Sequence, residues 1–469
     1  MLHVDKPDSL QAEKIHITAS GLEEWRCYTF ILRLHYDRGT YASFCVIQAD
    51  SLGNIDFARD APIRGMYHDV DPMGLFLSIE PTQKVRHGHF FKTYDPNTFY
   101  YTLQLLNDSE EILDEIHLKK HWKHPLVQQI NVAESGLYGT LFKPPGDGPF
   151  PTVVFIPGSN GMLESGYAAV LASEGFATFT FVYYAYKKDL PRSIPEVDIE
   201  FFAKPIEYVQ SLPYCSKKIG LVGQSFGGLT ANFLSTKYHQ VSAVVALNCS
   251  AAYCRDIAVM RENGKPMEVQ LLDEGMSDFI NGVLRQKPAF NDLYSKLTPT
   301  TSIPWWRASK DTVYRIVQCY DDMLVDGVPS RDNICKNLKE TGHSVESELV
   351  PGGHFLYFPY FPHHGIIYNA QINLMWGFGG ECYQHSKSQE TTWAKNVEFF
   401  RKHLGRGTKI PDWNRETRVS LPNSESIAQT NRQLVLRSPN HMEHFRSIQQ
   451  HRRPDASSET KSKLDLKKY

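Results

Sequence analysis

The run GLVGQSFGGLT, from Gly220 to Thr230, constrains this chain more than any other stretch. An apolar, strand-like segment ends in Gly223-Gln224-Ser225-Phe226-Gly227, and a helix-like segment starts directly after it. A serine at a strand-to-helix turn can project its hydroxyl above a parallel sheet, with the flanking glycines making room for the sharp bend. The same letters also fit a glycine-rich structural turn, so the surroundings have to decide.

Those surroundings alternate strands with helices. An apolar strand at Thr152 to Ile156 leads to the turn PGSNG, the helical ESGYAAVLASEG and the strand FATFTFV. A helix over PEVDIEFFAKPIEYVQSL, the strand KIGLV, the helix FGGLTANFLSTKY and the strand SAVVALN follow. TVYRIVQC, a helix around ICKNLKE, SVESELV and a last helix TTWAKNVEFFRKHLG, closed by Gly405, repeat the rhythm. Such alternation predicts a mostly parallel sheet covered by helices on both faces, an α/β-hydrolase domain over 126–405. Between Ala252 and Trp306 the rhythm dissolves, and that insertion is either a lid over the strand ends or an extra packing layer.

The first 125 residues read differently. KIHITASGL, YTFILRLHYD, TYASFCVIQAD, GNIDFARD and TFYYTLQLLND alternate with period two between short turns, which predicts an antiparallel, immunoglobulin-like β-sandwich. KKHWKHPLVQQ reads as the linker to the second domain. Residues 406–469 are polar, rich in basic side chains and aperiodic, and are expected to form a disordered tail. The tail contains Ser462-Lys463-Leu464, but five residues follow, so a C-terminal peroxisomal address is expected to be silent.

Bulk properties exclude several classes of function. A net charge of -2 gives no reason to expect a nucleic-acid partner, and no apolar run approaches the ~20 residues of a membrane span. The eight cysteines show no C-x-x-C pair and no metal-ligand spacing, and most lie in apolar runs, as buried free thiols in a reducing compartment would. The N-terminal stretch resembles neither a signal nor a transit peptide. An intracellular, cytoplasmic protein is expected, with peroxisome and mitochondrion left open, and the sequons at Asn107 and Asn248 carry little weight without a secretory route.

A serine nucleophile needs a base, and the base needs an acid to orient it, in the chain order Ser, acid, His for this fold. The turn after TVYRIVQC holds Asp321 and Asp322, with Asp326 close behind, and the turn after SVESELV holds Pro351-Gly352-Gly353-His354. Both turns carry the residue type the chemistry needs. His354 is the candidate base; His343, His363 and His364 are weaker rivals, and spacing does not choose among the three acids. The candidate oxyanion donors are the backbone N–H of Phe226 and one from Gly158-Ser159-Asn160-Gly161, with Ser159 as the choice there. The aromatic run from Phe181 to Tyr186 and the pair Trp305-Trp306 either line an acyl channel or sit in the core.

With these residues in view, the chain resembles the type I acyl-CoA thioesterase and bile acid-CoA:amino acid N-acyltransferase family, from about residue 14 to residue 405. The likeness lies in "GNIDFARDAPIRGMYHDVDPMGLFLSI", "PPGDGPFPTVVF", "EGFATFTFVYYAYKKDLP", "YFPYFPHHG" and "WGFGGECYQHSKSQETTWAKNVEFF". It implies Ser225 as nucleophile, His354 as histidine and Asp322 as acid, with Asp321 still a rival. Two departures are visible: Phe226 stands where the family usually has lysine, and the loop at Pro157 to Gly161 is less glycine-rich. The resemblance also implies an acyl-CoA thioester as substrate, with no cofactor and no metal, and the sequence carries no local phosphate-binding motif for CoA. A serine in place of the cysteine of the transferase members favours hydrolysis to free acid and CoA. N-acyl transfer, a carboxylesterase that does not use CoA and a non-catalytic lipid-binding or scaffold protein stay open as alternatives.

Overall fold

The computed structural model describes residues 1–36, 39–82, 88–91, 93–255, 258–369 and 373–411. The expected tail therefore lies, from residue 412 on, outside the described residues.

The N-terminal region is built on four long strands, β1 (Cys27–Tyr36), β2 (Gly39–Gln48), β3 (Thr98–Leu106) and β4 (Ile112–His121). They pair antiparallel in the order β4-β3-β1-β2, and Asp8–Leu10 adds a parallel edge against β4. Period-two alternation is what makes them strands: Tyr28, Phe30, Leu32 and Leu34 all point inward from β1. A second, three-stranded sheet joins Leu2–Val4, Ile17–Ala19 and Ile55–Asp56.

The larger sheet contains β5 (Gln128–Glu134), β6 (Leu137–Lys143), β7 (Phe150–Ile156), β8 (Ala177–Val182), β9 (Cys215–Gln224), β10 (Val241–Leu247), β11 (Val313–Cys319) and β12 (Val345–Val350). Its order is β5-β6-β8-β7-β9-β10-β11-β12, antiparallel at the β5-β6-β8 edge and parallel from β8 onward. The central strands are buried almost throughout and mostly apolar, as strands covered by helices on both faces are. Those helices are α1 (Ser165–Ala172), α2 (Ala203–Ser211), α3 (Phe226–Ser235), α4 (Gly327–Glu340) and α5 (Cys382–Leu404). This is an α/β-hydrolase-type architecture.

Three local expectations are corrected. The continuous helix over PEVDIEFFAKPIEYVQSL is broken: short 3-10 turns at Ile194–Glu196 and Ile199–Phe202 precede α2, which starts at Ala203. Pro205 explains the start, since a proline has no N–H for a bond to Phe201 and fits only the first turn of a helix. The last helix begins at Cys382, well before Thr391, because the Glu381 carboxylate accepts the N–H groups of Tyr383 and Gln384 as an N-cap. The presumed linker KKHWKHPLVQQ instead finishes β4 and begins β5. Within it Trp122 is fully buried, and the buried Lys120 ammonium donates to the carbonyls of Glu13 and Leu10 and to Ser9 Oγ. Burial brings the Lys120 pKa down to about 7.

One apolar core therefore runs from the N-terminal sheet onto a face of the large sheet. Phe99 meets Trp122 edge-on at 5.1 Å, Trp122 meets Phe358 at 5.1 Å, and Phe91 meets Phe361 at 5.7 Å. Each such side chain contributes about 1.5–3 kcal/mol on burial. The N-terminal region thus packs directly on the segment that follows His354.

Candidate active site

The turn at Ser225 combines strain with close backbone approach. Ser225 has φ 58° and ψ -128°, a conformation that costs an L-residue about 1–3 kcal/mol and persists only where its surroundings enforce it. The enforcement is visible: Ser225 N–H donates to the Leu247 carbonyl at 2.8 Å, while its own carbonyl accepts from Gly228 and Leu229. A Cβ on Gly223 would fall 2.3 Å from Gly227, and one on Gly227 would fall 2.2 Å from the Ile156 carbonyl. Only glycine fits either position. Ser225 is partly exposed in an otherwise buried stretch, and Phe226 opens α3, so its N–H has no intrahelical acceptor.

Of the three candidate acids, Asp322 is the one joined to His354. Its Oδ2 lies 2.7 Å from His354 Nδ1, and both side chains are buried. Oδ1 accepts the N–H groups of Leu324 at 2.7 Å and Val325 at 3.0 Å, which fixes the carboxylate in the plane it needs. Asp321 points elsewhere, accepting Gly352 N–H at 3.3 Å. Asp326 sits before α4 with Lys287 3.7 Å away, and burial raises its pKa.

The rival histidines are accounted for by packing. His343 Nδ1 meets Thr341 Oγ1 at 3.0 Å, and its ring lies edge-on to Tyr314. His363 Nε2 meets the Gly379 carbonyl at 2.9 Å. His364 accepts Phe91 N–H at 3.3 Å among Phe90, Phe91 and Phe361, and burial pushes its pKa down to about 3.

Two residues that sequence reasoning passed over tie the strand ends together. Asn248, the first residue after β10, donates through Nδ2 to the carbonyls of Gly353 (3.1 Å) and His354 (2.8 Å) and accepts Cys319 N–H at 2.7 Å. Its φ of 44° suits asparagine, and its burial makes the sequon inaccessible in the fold. Gln224, beside the serine, donates to the same His354 carbonyl at 2.7 Å. The ends of β9, β10 and β11 thereby converge on the His354 loop. No local pattern could have announced this, because each bond spans about 70 to 130 positions.

The loop after β7 is held by the aromatic run. Tyr183 OH donates to the Gly158 carbonyl at 2.7 Å and Tyr184 OH to the Ser159 carbonyl at 2.6 Å. These tyrosines fix the backbone carrying Ser159 N–H, a positional role that neither the channel nor the plain-core expectation included. Asn160 in turn bonds Glu164, whose buried carboxyl also accepts from Thr93 Oγ1 at 2.5 Å, 71 positions earlier in the chain. Burial raises Glu164 to about 7. Trp305 is buried edge-on to Tyr314, while Trp306 lies on the surface.

The insertion does not stand alone. Asp278–Ile280 and Val283–Arg285 join Leu374–Gly377 and Ile366–Asn369 in a four-stranded sheet, which connects it to the chain beyond His354. A surface cavity of about 300 Å³ beside it is lined by Arg285, Lys287 and Asp326, but its cations are already paired with Asp278 and Asp326. Seven of the eight cysteines are buried and all are free thiols. Among the described residues no cluster of three or more His, Cys, Asp or Glu side chains is placed to hold a metal ion, and no helix is long and apolar enough to cross a membrane.

Comparison with known proteins matches two regions. Residues 12–134 match the "Acyl-CoA thioester hydrolase/BAAT N-terminal region" and residues 197–406 match "BAAT / Acyl-CoA thioester hydrolase C terminal". The chain is 28% identical over 405 residues to the peroxisomal succinyl-coenzyme A thioesterase of Mus musculus, covering 84% of this chain and 94% of that protein. It is 27% identical over 409 residues to acyl-coenzyme A amino acid N-acyltransferase 1 of Mus musculus, covering 85% and 96% respectively. Among solved structures, Pyrococcus horikoshii acylaminoacyl peptidase is a distant neighbour, with 14% identity, a TM-score of 0.41 and coverage of 86% of this chain and 61% of that one.

Proposed function

We propose that this chain, which belongs to the BAAT/acyl-CoA thioester hydrolase family, hydrolyses fatty acyl-CoA to free acid and CoA through an acyl-enzyme on Ser225. The observation that carries this reading is the buried pair of His354 Nδ1 and Asp322 Oδ2 at 2.7 Å, on a loop bonded through its backbone to the residue before Ser225. Asp322 keeps the His354 proton on Nδ1, leaving Nε2 free to take the proton of Ser225 Oγ. The alkoxide attacks the thioester carbonyl, and the oxyanion meets the N–H groups of Phe226 and Ser159. Collapse breaks the C–S bond, and His354 returns its proton to the departing CoA thiolate. A water then gives a proton to His354 and attacks the Ser225 ester; the acyl C–Oγ bond breaks, His354 returns the proton to Ser225 Oγ, and the acid leaves. The chemistry needs no cofactor beyond the CoA thioester substrate.

Serine at the nucleophile position favours water over an amine as acceptor, because an amine attacks a thioester more readily than an oxygen ester. Transfer remains the second reading, on the strength of the N-acyltransferase relative. In the same proposal, residues 1–125 form an immunoglobulin-like β-sandwich domain, 126–405 the catalytic domain and 406–469 a tail, in an intracellular, cytoplasmic protein.

The test is thiol release from acyl-CoAs of graded chain length, with and without glycine or taurine. Free acid as product and loss of turnover in Ser225→Ala support hydrolysis. Amide product with glycine or taurine would replace it with transfer. Turnover of p-nitrophenyl esters with no thiol release would make the protein a carboxylesterase, and full thiol release by Ser225→Ala would refute the acyl-enzyme.

A further inference from the structure

His385 lies on α5, 31 residues beyond His354 in the sequence, yet its ring reaches back to the backbone on both sides of that histidine. Nδ1 accepts the N–H of Gly353 at 3.0 Å. The other ring nitrogen is then the protonated one, and the nearby Phe355 backbone favours a proton on the ring. One neutral imidazole therefore bonds the residue before His354 and lies near the backbone of the residue after it.

The rest of the loop is fixed in the same manner. Three successive N–H groups go to three different acceptors: Gly352 to Asp321 Oδ2 at 3.3 Å, Gly353 to His385 Nδ1, and His354 to the Phe378 carbonyl at 2.7 Å. The paired glycines let α5 and the segment just before it come so close. A Cβ on Gly352 would lie 2.7 Å from His385 Nδ1, and one on Gly353 would lie 2.0 Å from the Gly379 carbonyl. His385 is fully buried, with the His363 ring 4.5 Å away and His364 also near. Burial and these two imidazoles hold its pKa well below the usual range, so the ring stays neutral and Nδ1 stays an acceptor.

We infer that His385 is a positioning residue for the proposed hydrolysis, holding the His354 loop at the height and angle at which its ring can serve Ser225. This rests on His354 being the base. His385 touches neither substrate nor the reacting atoms; it acts through the peptide groups that flank His354. An imidazole is suited to the task because it presents an acceptor and a donor on opposite edges of one rigid ring. Asparagine can place an oxygen near the Nδ1 position but has no donor where Nε2 lies. Glutamine can place an amide N–H near Nε2 but has no acceptor at Nδ1. Leucine fills the space and offers neither.

The experiment compares His385→Leu, His385→Asn and His385→Gln with the parent and with His354→Ala, in the full chain. Readouts are kcat and KM for thiol release from a long-chain acyl-CoA, thermal unfolding, and the downfield proton resonance of the His354–Asp322 bond. His385→Leu is expected to lose about 10- to 100-fold in kcat at nearly constant KM, the scale of a misplaced catalytic group. It should also broaden the downfield proton. His385→Asn and His385→Gln should each recover part of that loss, one bond at a time. If His385→Leu does not fold, a fall in kcat at constant KM in the two amide variants supports the inference, and parent-like kcat in both overturns it. Parent-like kcat in a folded His385→Leu also overturns it, as do amide variants as impaired as leucine. Full turnover in His354→Ala would remove the hydrolysis reading itself. An inactive His354→Ala beside parent-like His385 variants would remove only this inference.

Discussion

Replacing Asp322 with asparagine isolates one proton. In the parent, Asp322 Oδ1 is committed to the N–H groups of Leu324 and Val325 at 2.7 and 3.0 Å, and Oδ2 faces His354 Nδ1 at 2.7 Å. The amide of Asp322→Asn has one orientation that fits. Its oxygen must take the Oδ1 position, since an NH2 there would oppose two backbone N–H groups. Its NH2 then faces His354 Nδ1, which is forced to accept, and the imidazole proton moves to Nε2. In the proposed cycle that is the nitrogen that has to receive the Ser225 proton. The fold loses no hydrogen bond, while the base has the wrong tautomer. Exchange of a triad acid for its amide costs on the order of 10⁴ in kcat, or about 5 kcal/mol of transition-state stabilisation. The assay is thiol release under saturating acyl-CoA, with urea unfolding to show that stability is kept. Asp321→Asn is the control; its side chain accepts Gly352 N–H at 3.3 Å, a bond an amide oxygen can keep, and it should stay within about threefold of the parent. An Asp322→Asn protein within tenfold of the parent, or an Asp321→Asn protein as impaired as it, would refute the tautomer argument.

The strained turn at Ser225 and the buried Glu164 carboxyl each have a measurable consequence. Ser225→Gly should abolish turnover yet raise stability in urea by about 1 kcal/mol, because glycine adopts φ 58° without strain; equal or lower stability would show that the turn is not strained. Glu164, raised from 4.5 to about 7 by burial, keeps its proton more tightly folded than unfolded, so its contribution is full below pH 4.5 and lost as the pH rises through 7. Glu164→Gln should therefore gain about 3 kcal/mol relative to the parent between pH 4.5 and pH 8, and parallel pH–stability curves for the two proteins would contradict this.

The elbow was legible because it is local: an apolar strand, two glycines around a serine and a helix are written side by side from Gly220 to Ser235. The alternation that makes a mostly parallel sheet was legible for the same reason, as was the turn that carries His354. The resemblance pointed to Asp322 with Asp321 a rival, while spacing chose neither, and only the folded chain shows which carboxylate meets His354. The two are chain neighbours with the same chemistry, and only the direction in which each side chain leaves the turn separates them. Tertiary structure also decided the parts played by Asn248, Tyr183, Tyr184, Glu164 and His385. Their partners lie between 4 and about 106 positions away, and most belong to other elements. The same limit hid the burial of Lys120 and Trp122: a basic stretch reads as solvent-exposed until the carbonyls of Leu10 and Glu13 close over its ammonium group. A sequence specifies the backbone's local preferences directly, through side-chain period and the φ of glycine and proline. Which hydrogen-bonding group meets which is settled only when packing brings distant segments to within about 3 Å.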